Sequence, residues 1–342
     1  MSARILVVGA GAIGGITAAH LTCAGGDVTV LDAAAEHVAS LRSPGLLFDH
    51  LGTEHLVPMK AVTSPAELQG RFDFALLTLK SGGLVKAVPG LVDLDLVDTY
   101  VCLGNGLVQS LAEELIGSDR LIVGVVEWGA TNIGPGHLAQ TTDAPFVIGE
   151  PNGDISDRVQ QLAEVLGSAA QVDITKNITG RVWSKLLLNS TYSGLGAVTG
   201  GPYRDVAADA FSRAVSLRIW AEGYDAAVAA GVEVEPLLDI DPVRLVVRTN
   251  ADEARASDAL DAIVVTLGNT KASMLQDLEK GLLTEVDVIN GGVVATAEAH
   301  GFPAPGNSEI VRLVHEFENG QGKPGPEALG RVGEALGVRR RP

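Results

Sequence analysis

A glycine-rich turn directly follows the first strand pattern of the chain. The β-branched segment 4–8 leads into the spacing G-x-G-x-x-G over residues 9–14. In such a turn the first glycine permits a tight bend, the second lets a pyrophosphate approach the backbone, and the third lets the next helix pack close to the sheet. The unpaired N–H groups at the start of that helix favour a bound anion. The sequence therefore predicts a site for a phosphate-containing cofactor. Its predicted contact residues are Gly9, Ala10, Gly11, Ala12, Ile13 and Gly14.

An acidic residue stands at the end of the second strand pattern. Segment 27–31 ends at Asp32, twenty-one residues after Gly11, where a carboxylate can accept hydrogen bonds from the adenosine ribose hydroxyls. Together with the glycine turn, it predicts a dinucleotide site for NAD(P)H. The 2′-phosphate of NADP(H) would meet a carboxylate here, and residues 33–36, Ala-Ala-Ala-Glu, supply no cation. The sequence therefore favours NADH over NADPH as the cofactor.

The first half of the chain alternates strand and helix patterns. Most of the predicted strands are continuous apolar runs, which is typical of strands buried on both faces of a parallel sheet. From about residue 177 the pattern becomes helical, with no further clear strand. The predicted strands are 4–9, 27–31, 74–79, 99–103, 121–126 and 146–149, and the predicted helices of the second half are 177–198, 205–231, 257–280, 285–300 and 307–318.

These patterns predict an α/β fold class, with an N-terminal Rossmann-type doubly wound sheet followed by an all-helical C-terminal domain. A length of 342 residues supports two domains, since a typical domain has ~150 residues. We predict a dinucleotide-binding domain over 1–172 and a helical substrate and catalytic domain over 177–320. The remaining segment, 321–342, is rich in Gly, Pro and Arg and is predicted to be a flexible tail with room for one short helix.

Charge and composition exclude several classes of function. The net charge of −17 argues against a nucleic-acid or acidic-membrane surface. No apolar run approaches the ~18 residues needed to cross a bilayer, and the chain enters a strand pattern without a signal-peptide pattern. We therefore expect a cytoplasmic protein. Cys23 and Cys102 are expected to be small core residues, and the seven histidines show no metal-binding spacing.

Two polar residues follow predicted strands at the edge where ligands of such sheets bind. Lys80 follows the third apolar run, and Asn105 stands between two glycines after the fourth. Ligands of open α/β sheets bind beyond the carboxyl ends of the strands. At that edge Lys80 could meet a carboxylate or a phosphate, and Asn105 could face cofactor or substrate. A solvated lysine and an ordinary turn asparagine remain the alternatives.

A polar stripe runs along the first predicted helix of the second half. Residues spaced by four lie on one helix face. Here they are Arg181, Lys185, Asn189 and Ser193. Apolar residues surround this stripe, so the pattern suggests the lining of a site on a mostly buried helix. A solvated lysine on an outer helix face is the alternative.

An acidic residue begins a later helix pattern. Thr284 and Asp287 resemble a capping box, which places Glu285 in the first helical turn. On its own, this spacing is explained by a favourable interaction between the carboxylate and the helix dipole. A functional role for Glu285 therefore needs a further argument.

The motifs together resemble the ketopantoate reductase family (2-dehydropantoate 2-reductases), and the resemblance covers nearly the whole chain. Besides the glycine turn, the matching segments are Thr78-Leu79-Lys80, Gly104-Asn105-Gly106, Gly134-Pro135-Gly136, Trp183-Ser184-Lys185-Leu186 with Asn189, Ser273-Met274-Leu275-Gln276-Asp277, and Thr284-Glu285-Val286-Asp287-Val288-Ile289-Asn290-Gly291.

The resemblance implies a role for each matching polar residue. Lys185 corresponds to the family's catalytic lysine and Glu285 to its assisting glutamate. Asn105 and Asn189 correspond to positions near the nicotinamide and the substrate. Ser273 corresponds to a contact of the substrate carboxylate.

The same resemblance marks where the chain differs from its family. Lys80 matches the family's cofactor-site lysine. After Asp32, however, the chain has Ala33 instead of the Arg expected of an NADPH-preferring member. Ser193 and Thr270 stand where the family often has substrate-facing asparagines, and they are the remaining candidate substrate contacts. The implied catalytic pair is intact, whereas two substrate contacts and the cofactor preference are altered.

The sequence thus predicts nicotinamide-dependent reduction of a 2-keto acid to a 2-hydroxy acid. The first candidate substrate is 2-dehydropantoate (ketopantoate), reduced to pantoate for pantothenate and coenzyme A synthesis. An NAD-dependent D-2-hydroxyacid dehydrogenase of the same family, acting on branched or aromatic 2-keto acids, stays open because of the altered positions. A non-catalytic NAD(H)-sensing protein is a third candidate, although a sensor needs neither Lys185 nor Glu285. A homodimer formed through the helical domain is a further expectation.

Overall fold

The computed structural model describes residues 3–340, which form two compact units. The first unit contains the described residues up to Gly104 together with Val108–Ile178. The second contains Asn105–Leu107 and the described residues from Thr179 onward. The short segment Asn105–Leu107 therefore belongs to the second unit, although the chain on both sides of it belongs to the first. None of the described helices is both long and apolar enough to cross a membrane.

The described part of the first unit contains twelve strands in two sheets. They are β1 (Arg4–Val8), β2 (Asp27–Leu31), β3 (Leu46–His50), β4 (Thr53–Val57), β5 (Lys60–Val62), β6 (Phe72–Leu77), β7 (Val97–Cys102), β8 (Leu121–Val126), β9 (Ala130–Gly134), β10 (His137–Gln140), β11 (Phe146–Gly149) and β12 (Val172–Ile174). The main sheet has the order β12-β11-β8-β7-β6-β1-β2-β5. Neighbouring strands are parallel except for β8 and β11. This sheet confirms the predicted Rossmann-type fold, and its last strand extends past residue 172, where the predicted domain ends.

Helices accompany the main sheet, whose strands are largely apolar on both faces. They are α1 (Ala12–Cys23), α2 (Ala35–Arg42), α3 (Ser81–Leu94), α4 (Val108–Ile116) and α5 (Asp157–Leu166). The core contains fully buried residues of both strands and helices, among them Val7, Ile16 and Leu162. The strand order reverses beside β1, which lies between β2 and β6. Dinucleotides bind at such a switch point, so the fold places the glycine turn there.

A second, four-stranded sheet has no counterpart among the predicted strands. Its order is β4-β3-β10-β9, and β3 and β10 are parallel. The two hairpins that build it are far apart in the sequence, and β4 is exposed along most of its length, so no apolar run signals it. The sheet packs on α1, where Leu138 lies against the space left by the missing side chain of Gly15.

The second unit is helical, which confirms the predicted class of the C-terminal part. Its helices are α6 (Ile178–Leu188), α7 (Gly194–Thr199), α8 (Ala210–Ala229), α9 (Asn250–Leu267), α10 (Ser273–Glu279), α11 (Val286–Ala299), α12 (Pro305–Glu318) and α13 (Pro326–Ala335). A π-helical turn, Asn189–Ser193, joins α6 to α7 without a break. Of the described residues in this unit, only Leu237 and Ile240 pair as an isolated β-bridge.

The single helix predicted over 257–280 is wrong, because the chain forms α9 and α10 with a loop between them. The carbonyls of Gly268 and Thr270 in this loop accept hydrogen bonds from the backbone N–H groups of Arg204 and Tyr203. These carbonyls therefore bond to a distant segment instead of continuing the helix.

The segment 321–342 contains α13, the one short helix for which the sequence left room, but this helix is packed into the core and is not part of a flexible tail. Val332 is fully buried and Leu329 is nearly so, and both belong to the apolar core of the second unit. Apolar residues at 328, 329 and 332 form one face of the helix, which packs against α7, α8 and α12. Burial of that face orders a segment whose composition is typical of a linker.

Candidate nucleotide and catalytic sites

Gly14 is required by the packing of the first unit itself. A Cβ at this position would lie 2.0 Å from the carbonyl oxygen of Gly9 and 2.2 Å from Thr78 Oγ1. The Thr78 hydroxyl donates a hydrogen bond of 2.6 Å to the same carbonyl. Gly9 has a φ of +94°, which favours glycine. These contacts hold the turn between β1 and α1 in one conformation.

Gly11, by contrast, is not required by any packing contact within the protein. Beyond its chain neighbours, a Cβ there would meet no atom within 4 Å, and its φ of −63° is open to every residue. No side chain caps α1, which begins one residue later at Ala12. An open position beside uncapped helix N–H groups suits a phosphate. The turn therefore fits a dinucleotide, whose pyrophosphate Gly11, Ala12 and Ile13 would hold.

Asp32 follows β2 directly and orders the same turn. Its Oδ2 accepts a hydrogen bond of 2.7 Å from the backbone N–H of Ala10, and its Oδ1 accepts one of 2.8 Å from Ala34. Each carboxylate oxygen has a second lone pair, so Asp32 can also accept hydrogen bonds from ribose hydroxyls. Ala33 is exposed beside it. Asp32 thus holds the turn and places a negative charge at the end of β2.

His37 on α2 is a turn-ordering residue that the sequence analysis does not single out. It is 7% exposed, and its Nδ1 accepts a hydrogen bond of 2.9 Å from the backbone N–H of Gly136. The proton of the neutral ring is then on Nε2, which donates to the Ala10 carbonyl at 2.7 Å. The amide of Ala10 is thus bound by Asp32 and its carbonyl by His37. The sequence signal that could have identified His37 is the helical pattern that places it on the apolar face with Val38.

Lys80 lies at the carboxyl edge of the main sheet, as its place after an apolar run predicts. It is exposed and is the N-cap residue of α3. Thr78, two residues earlier, makes the contact with the glycine turn. The segment 78–80 therefore reaches the side of the sheet where the turn lies, and a cofactor contact of Lys80 stays a prediction.

In the second unit, Asn105 and Glu285 are in direct contact. The Asn105 side-chain amide donates a hydrogen bond of 3.2 Å to Glu285 Oε2, and Glu285 is 8% exposed. The backbone of the same segment binds α11, because the N–H of Leu107 donates to the Val288 carbonyl at 2.9 Å. Gly106 has a φ of +68°, and a Cβ there would lie 2.3 Å from that carbonyl. The close approach of backbone to backbone brings Asn105 to Glu285.

The capping box predicted at the start of α11 is wrong. Glu285 is itself the N-cap residue of the helix and not a residue of its first turn. The Thr284 hydroxyl accepts a hydrogen bond from the N–H of Val286 at 3.2 Å, one residue short of the capping-box spacing. Asp287 instead pairs with His315. The carboxylate of Glu285 is therefore not engaged in a capping box and faces Asn105.

The polar stripe predicted on one helix face ends at the π-helical turn. Lys185 is half-buried on α6, and Asn189, one helical turn later, is 9% exposed. The wider turn from Asn189 to Ser193 rotates Ser193 away from the direction that ordinary helical spacing predicts. Ser193 is 1% exposed, and its hydroxyl shares a hydrogen bond of 2.8 Å with the Tyr203 hydroxyl. Arg181, Lys185 and Asn189 keep the predicted spacing, and Arg181 Nη1 donates a hydrogen bond of 2.8 Å to the Pro236 carbonyl.

Thr270 and Ser273 are both exposed in the second unit. Thr270 lies in the middle of the loop between α9 and α10, and its carbonyl accepts a hydrogen bond from the N–H of Tyr203 at 3.0 Å. Ser273 is the first residue of α10. Their roles as substrate contacts stay predictions.

His315 of α12 binds the beginning of α11. One ring nitrogen, Nδ1, is 2.8 Å from Glu318 Oε2, and Nε2 is 2.8 Å from Asp287 Oδ1. Glu318 Oε1 in turn accepts the backbone N–H of Thr284 at 2.7 Å. Burial opposes the charged ring, but the hydrogen bonds with the two carboxylates outweigh it and raise the pKa of His315 above 6.5. The histidine thus ties the segment around Glu285 to α12.

Comparison with known proteins assigns the chain to a family. It matches the family model of ketopantoate reductase PanE/ApbA over residues 5–153 and the model of the C-terminal part of ketopantoate reductase PanE/ApbA over residues 177–318. The chain belongs to the ketopantoate reductase family. This membership confirms the resemblance seen in the sequence and makes the protein an oxidoreductase that uses a pyridine nucleotide.

Relatives and solved structures agree with this assignment along the chain. This protein is 28% identical over 338 residues to a 2-dehydropantoate 2-reductase of Mesorhizobium japonicum. The match covers 92% of this chain and 97% of the relative. The corresponding enzyme of Pyrococcus horikoshii is 27% identical over 318 residues, covering 92% and 98%. A ketopantoate reductase structure from Ralstonia eutropha has a TM-score of 0.79 at 26% identity, covering 93% and 99%. A D-mandelate dehydrogenase solved with NADH and anilino(oxo)acetate shares the fold, with a TM-score of 0.80 at 23% identity, covering 93% and 99%.

Gly11 and Gly14 predict different effects of alanine in this ketopantoate reductase family member. Gly14→Ala should lower the free energy of unfolding by about 1–3 kcal/mol, because its Cβ overlaps the Gly9 carbonyl. Gly11→Ala should leave stability unchanged and weaken NAD(P)H binding by about 10-fold or more, because its Cβ fills the space left for the phosphates. Urea unfolding and nucleotide titration by fluorescence measure the two effects. Equal nucleotide affinity in Gly11→Ala would contradict the assignment.

The raised pKa of His315 predicts a pH-dependent contribution to stability. A folded-state pKa above 6.5 means that the stabilisation is fully present below pH 6.5 and is lost as pH rises through the folded-state pKa. Urea unfolding of the parent and of His315→Gln, between about pH 6 and pH 9, measures this contribution as their difference. We expect the difference to shrink with rising pH. A difference independent of pH would contradict the interpretation.

Proposed function

We propose that this chain reduces a 2-keto acid to a 2-hydroxy acid with NAD(P)H, and that ketopantoate is its substrate. The observation that carries the proposal is the hydrogen bond between Asn105 and the buried carboxylate of Glu285, in the same unit as Lys185 and Asn189. These four residues correspond to the reaction residues of the family. The 2-dehydropantoate 2-reductases among the relatives support ketopantoate as the substrate.

Reduction of a ketone places negative charge on the carbonyl oxygen, and we assign Lys185 to that charge. When bound, the nicotinamide supplies the hydride that reduces the carbonyl carbon. The Lys185 ammonium donates a hydrogen bond to the carbonyl oxygen and then transfers a proton from Nζ, which gives the hydroxyl. Because Lys185 is half-buried, water screens its charge less than that of a surface lysine. The side-chain amide of Asn189 donates a second hydrogen bond to the same oxygen.

Glu285 orients the lysine in this proposal. A carboxylate can accept several hydrogen bonds, and Glu285 accepts one of them on Oε2 from the side-chain amide of Asn105. The amide of Asn105 fixes the rotamer of the carboxylate, so the charge of Glu285 has a defined direction. The pair supplies both the proton and its placement.

A D-2-hydroxyacid dehydrogenase for branched or aromatic 2-keto acids is the second candidate, and an observation at Ser193 favours it. The Ser193 hydroxyl is buried and already bonded to the Tyr203 hydroxyl. Ser193 therefore has less hydrogen-bonding capacity left for a polar group of the substrate than the asparagine common in the family would have. An apolar substrate side chain needs no such partner. The same fold serves a D-mandelate dehydrogenase.

The ratio of kcat/KM between substrates decides between these candidates. Initial rates are measured with ketopantoate, phenylglyoxylate and 2-ketoisovalerate, each with NADH and with NADPH. A preference for ketopantoate supports the first candidate, and a preference for either other acid supports the second. Nucleotide binding without turnover of any of the three would contradict both and favour an NAD(H)-sensing protein.

Removal of the proposed proton donor should abolish most of the activity. Lys185→Ala is expected to lower kcat by about 10²-fold or more, since general acid catalysis contributes ~10²–10⁴-fold. The affinity for NAD(P)H should persist, because the glycine turn lies in the other unit. Lys323→Ala removes an exposed lysine of the same unit and serves as the control. Activity equal to that of the parent in Lys185→Ala would remove Lys185 from the mechanism.

The charge after β2 predicts the nucleotide preference. Combining Asp32→Ala with Ala33→Arg replaces a carboxylate by a cation that can bind the 2′-phosphate. We expect the NADPH-to-NADH ratio of kcat/KM to rise by about 10-fold or more, the effect of one charge-assisted contact. The single variant Ala33→Arg is the control, because it leaves the Asp32 bonds to the turn intact. An unchanged ratio in both would mean that other residues select the nucleotide.

A further inference from the structure

Glu222 on α8 is a half-buried carboxylate that holds the first turn of α12. Its Oε1 accepts the N–H of Gly306 at 2.9 Å, and its Oε2 accepts both the backbone N–H and the side-chain amide of Asn307, at 2.9 and 2.8 Å. Burial raises the pKa of Glu222, and the three hydrogen bonds oppose that rise. The positive end of the α12 dipole also favours the carboxylate. These bonds orient Asn307, so that its Nδ2 faces Glu222.

Asn307 passes this orientation on to Asn290 of α11. Asn290 Nδ2 donates to Asn307 Oδ1 at 2.9 Å and to the backbone carbonyl of Ser190 at 2.9 Å. Asn290 and Asn307 are fully buried. An amide has two N–H donors, so both donors of Asn290 are used. A flipped amide at either residue would set oxygen against oxygen. Donors and acceptors along the chain of hydrogen bonds from Glu222 to Ser190 can therefore be arranged in only one way.

The end of this chain lies in the π-helical turn. A π-helical turn replaces the usual i→i+4 bonds by i→i+5 bonds and is frequent at functional sites. Ser190 is inside this turn, and Asn290 provides its carbonyl with a donor from another helix. Gly194 follows the turn, and a Cβ there would lie 2.8 Å from Asn290 Oδ1. The turn, the glycine and the amide thus fit one another.

We propose that Glu222, Asn307 and Asn290 are positioning residues for the reaction. α11 carries Glu285 at its N-cap and Asn290 five residues later, and the π-helical turn begins with Asn189. The chain of hydrogen bonds connects the element that bears Glu285 to the element that bears Asn189. A misplacement of ~1 Å can lower a rate by about 10²-fold, so this connection acts on kcat. The inference rests on the proposed function, in which these two residues serve one carbonyl group.

Asn290→Leu removes both donors, keeps the number and branching of the side-chain heavy atoms, and tests the proposal directly. We expect kcat to fall by about 10- to 100-fold with a smaller change in KM for the keto acid, because placement and not binding is lost. The affinity for NAD(P)H should stay that of the parent. Ser216→Ala is the matched control on α8, since its hydroxyl is fully buried and donates to the Val206 carbonyl at 2.8 Å. The control should lower Tm. At temperatures below its melting range, its kcat should equal that of the parent.

A merely structural role gives a different result. Asn290→Leu would then behave like Ser216→Ala, with a lowered Tm and a kcat within about twofold of the parent at a temperature where both are folded. That outcome overturns the proposal.

Glu222→Gln keeps the shape of the side chain and provides a second variant in case Asn290→Leu does not fold. Its amide nitrogen replaces one carboxylate oxygen and therefore faces either the N–H of Gly306 or the donors of Asn307, so at least one of the hydrogen bonds that orient Asn307 and its helix turn is lost. We expect a smaller fall in kcat than in Asn290→Leu. The double variant should lose no more than Asn290→Leu alone, because both changes break the same chain. Independent, additive losses, or an unchanged kcat in Glu222→Gln, would contradict a shared role.

Hydrogen exchange separates this inference from the proposed function. Mass spectrometry of a peptide that covers Asn189–Ser193 should show faster amide exchange in Asn290→Leu than in the parent, and unchanged exchange in Ser216→Ala. Unchanged exchange in Asn290→Leu overturns the positioning role. If the parent reduces none of the keto acids, the proposed function fails. The exchange rates still decide whether the hydrogen bonds from Glu222 to Ser190 hold the π-helical turn.

Discussion

The close approach of Gly14 to the Gly9 carbonyl is the contact on which the first unit depends. Without a Cβ at Gly14, α1 packs against the end of β1, and the Thr78 hydroxyl of the neighbouring strand end completes the contact. Asp32 binds the amide of Ala10 in the same turn. The backbone that faces the cofactor is therefore held before any ligand arrives, so binding requires little ordering of the protein. The proposed cofactor preference rests on the same carboxylate, since Asp32 orders the turn and is also the predicted partner of the ribose hydroxyls.

Buried polar side chains give the second unit its directional order. An apolar core sets burial but not the orientation of amides and carboxylates, whereas a buried polar group needs a partner and thus one orientation. α11 carries two such groups, Glu285 at its N-cap and Asn290 inside it, and each is bonded to a different segment. The placement of the proposed catalytic residues therefore follows from a few hydrogen bonds in a large apolar surrounding.

Tyr203 contacts both Ser193 and Thr270, the two predicted substrate contacts at which the chain differs from the family pattern. Its hydroxyl shares a hydrogen bond with Ser193, and its backbone N–H donates to the carbonyl of Thr270. Both positions thus contact Tyr203, Ser193 through its side chain and Thr270 through its backbone carbonyl. A serine bonded to a tyrosine leaves fewer free donors than an asparagine, which is the physical basis for considering apolar 2-keto acids beside ketopantoate.

The sequence by itself determined the features that depend on local spacing. The glycine turn, the apolar strands, the helical second half and the neighbouring positions of Lys185 and Asn189 each follow from residues a few positions apart, because period and backbone freedom are local properties. Only the tertiary structure decided the contacts between distant segments. The second sheet, the burial of α13, the bond from His37 to the turn and the chain through Asn290 join residues whose separation no periodicity encodes. Their partners are set by packing, and the same packing turned Ser193 out of the stripe that helical spacing predicts.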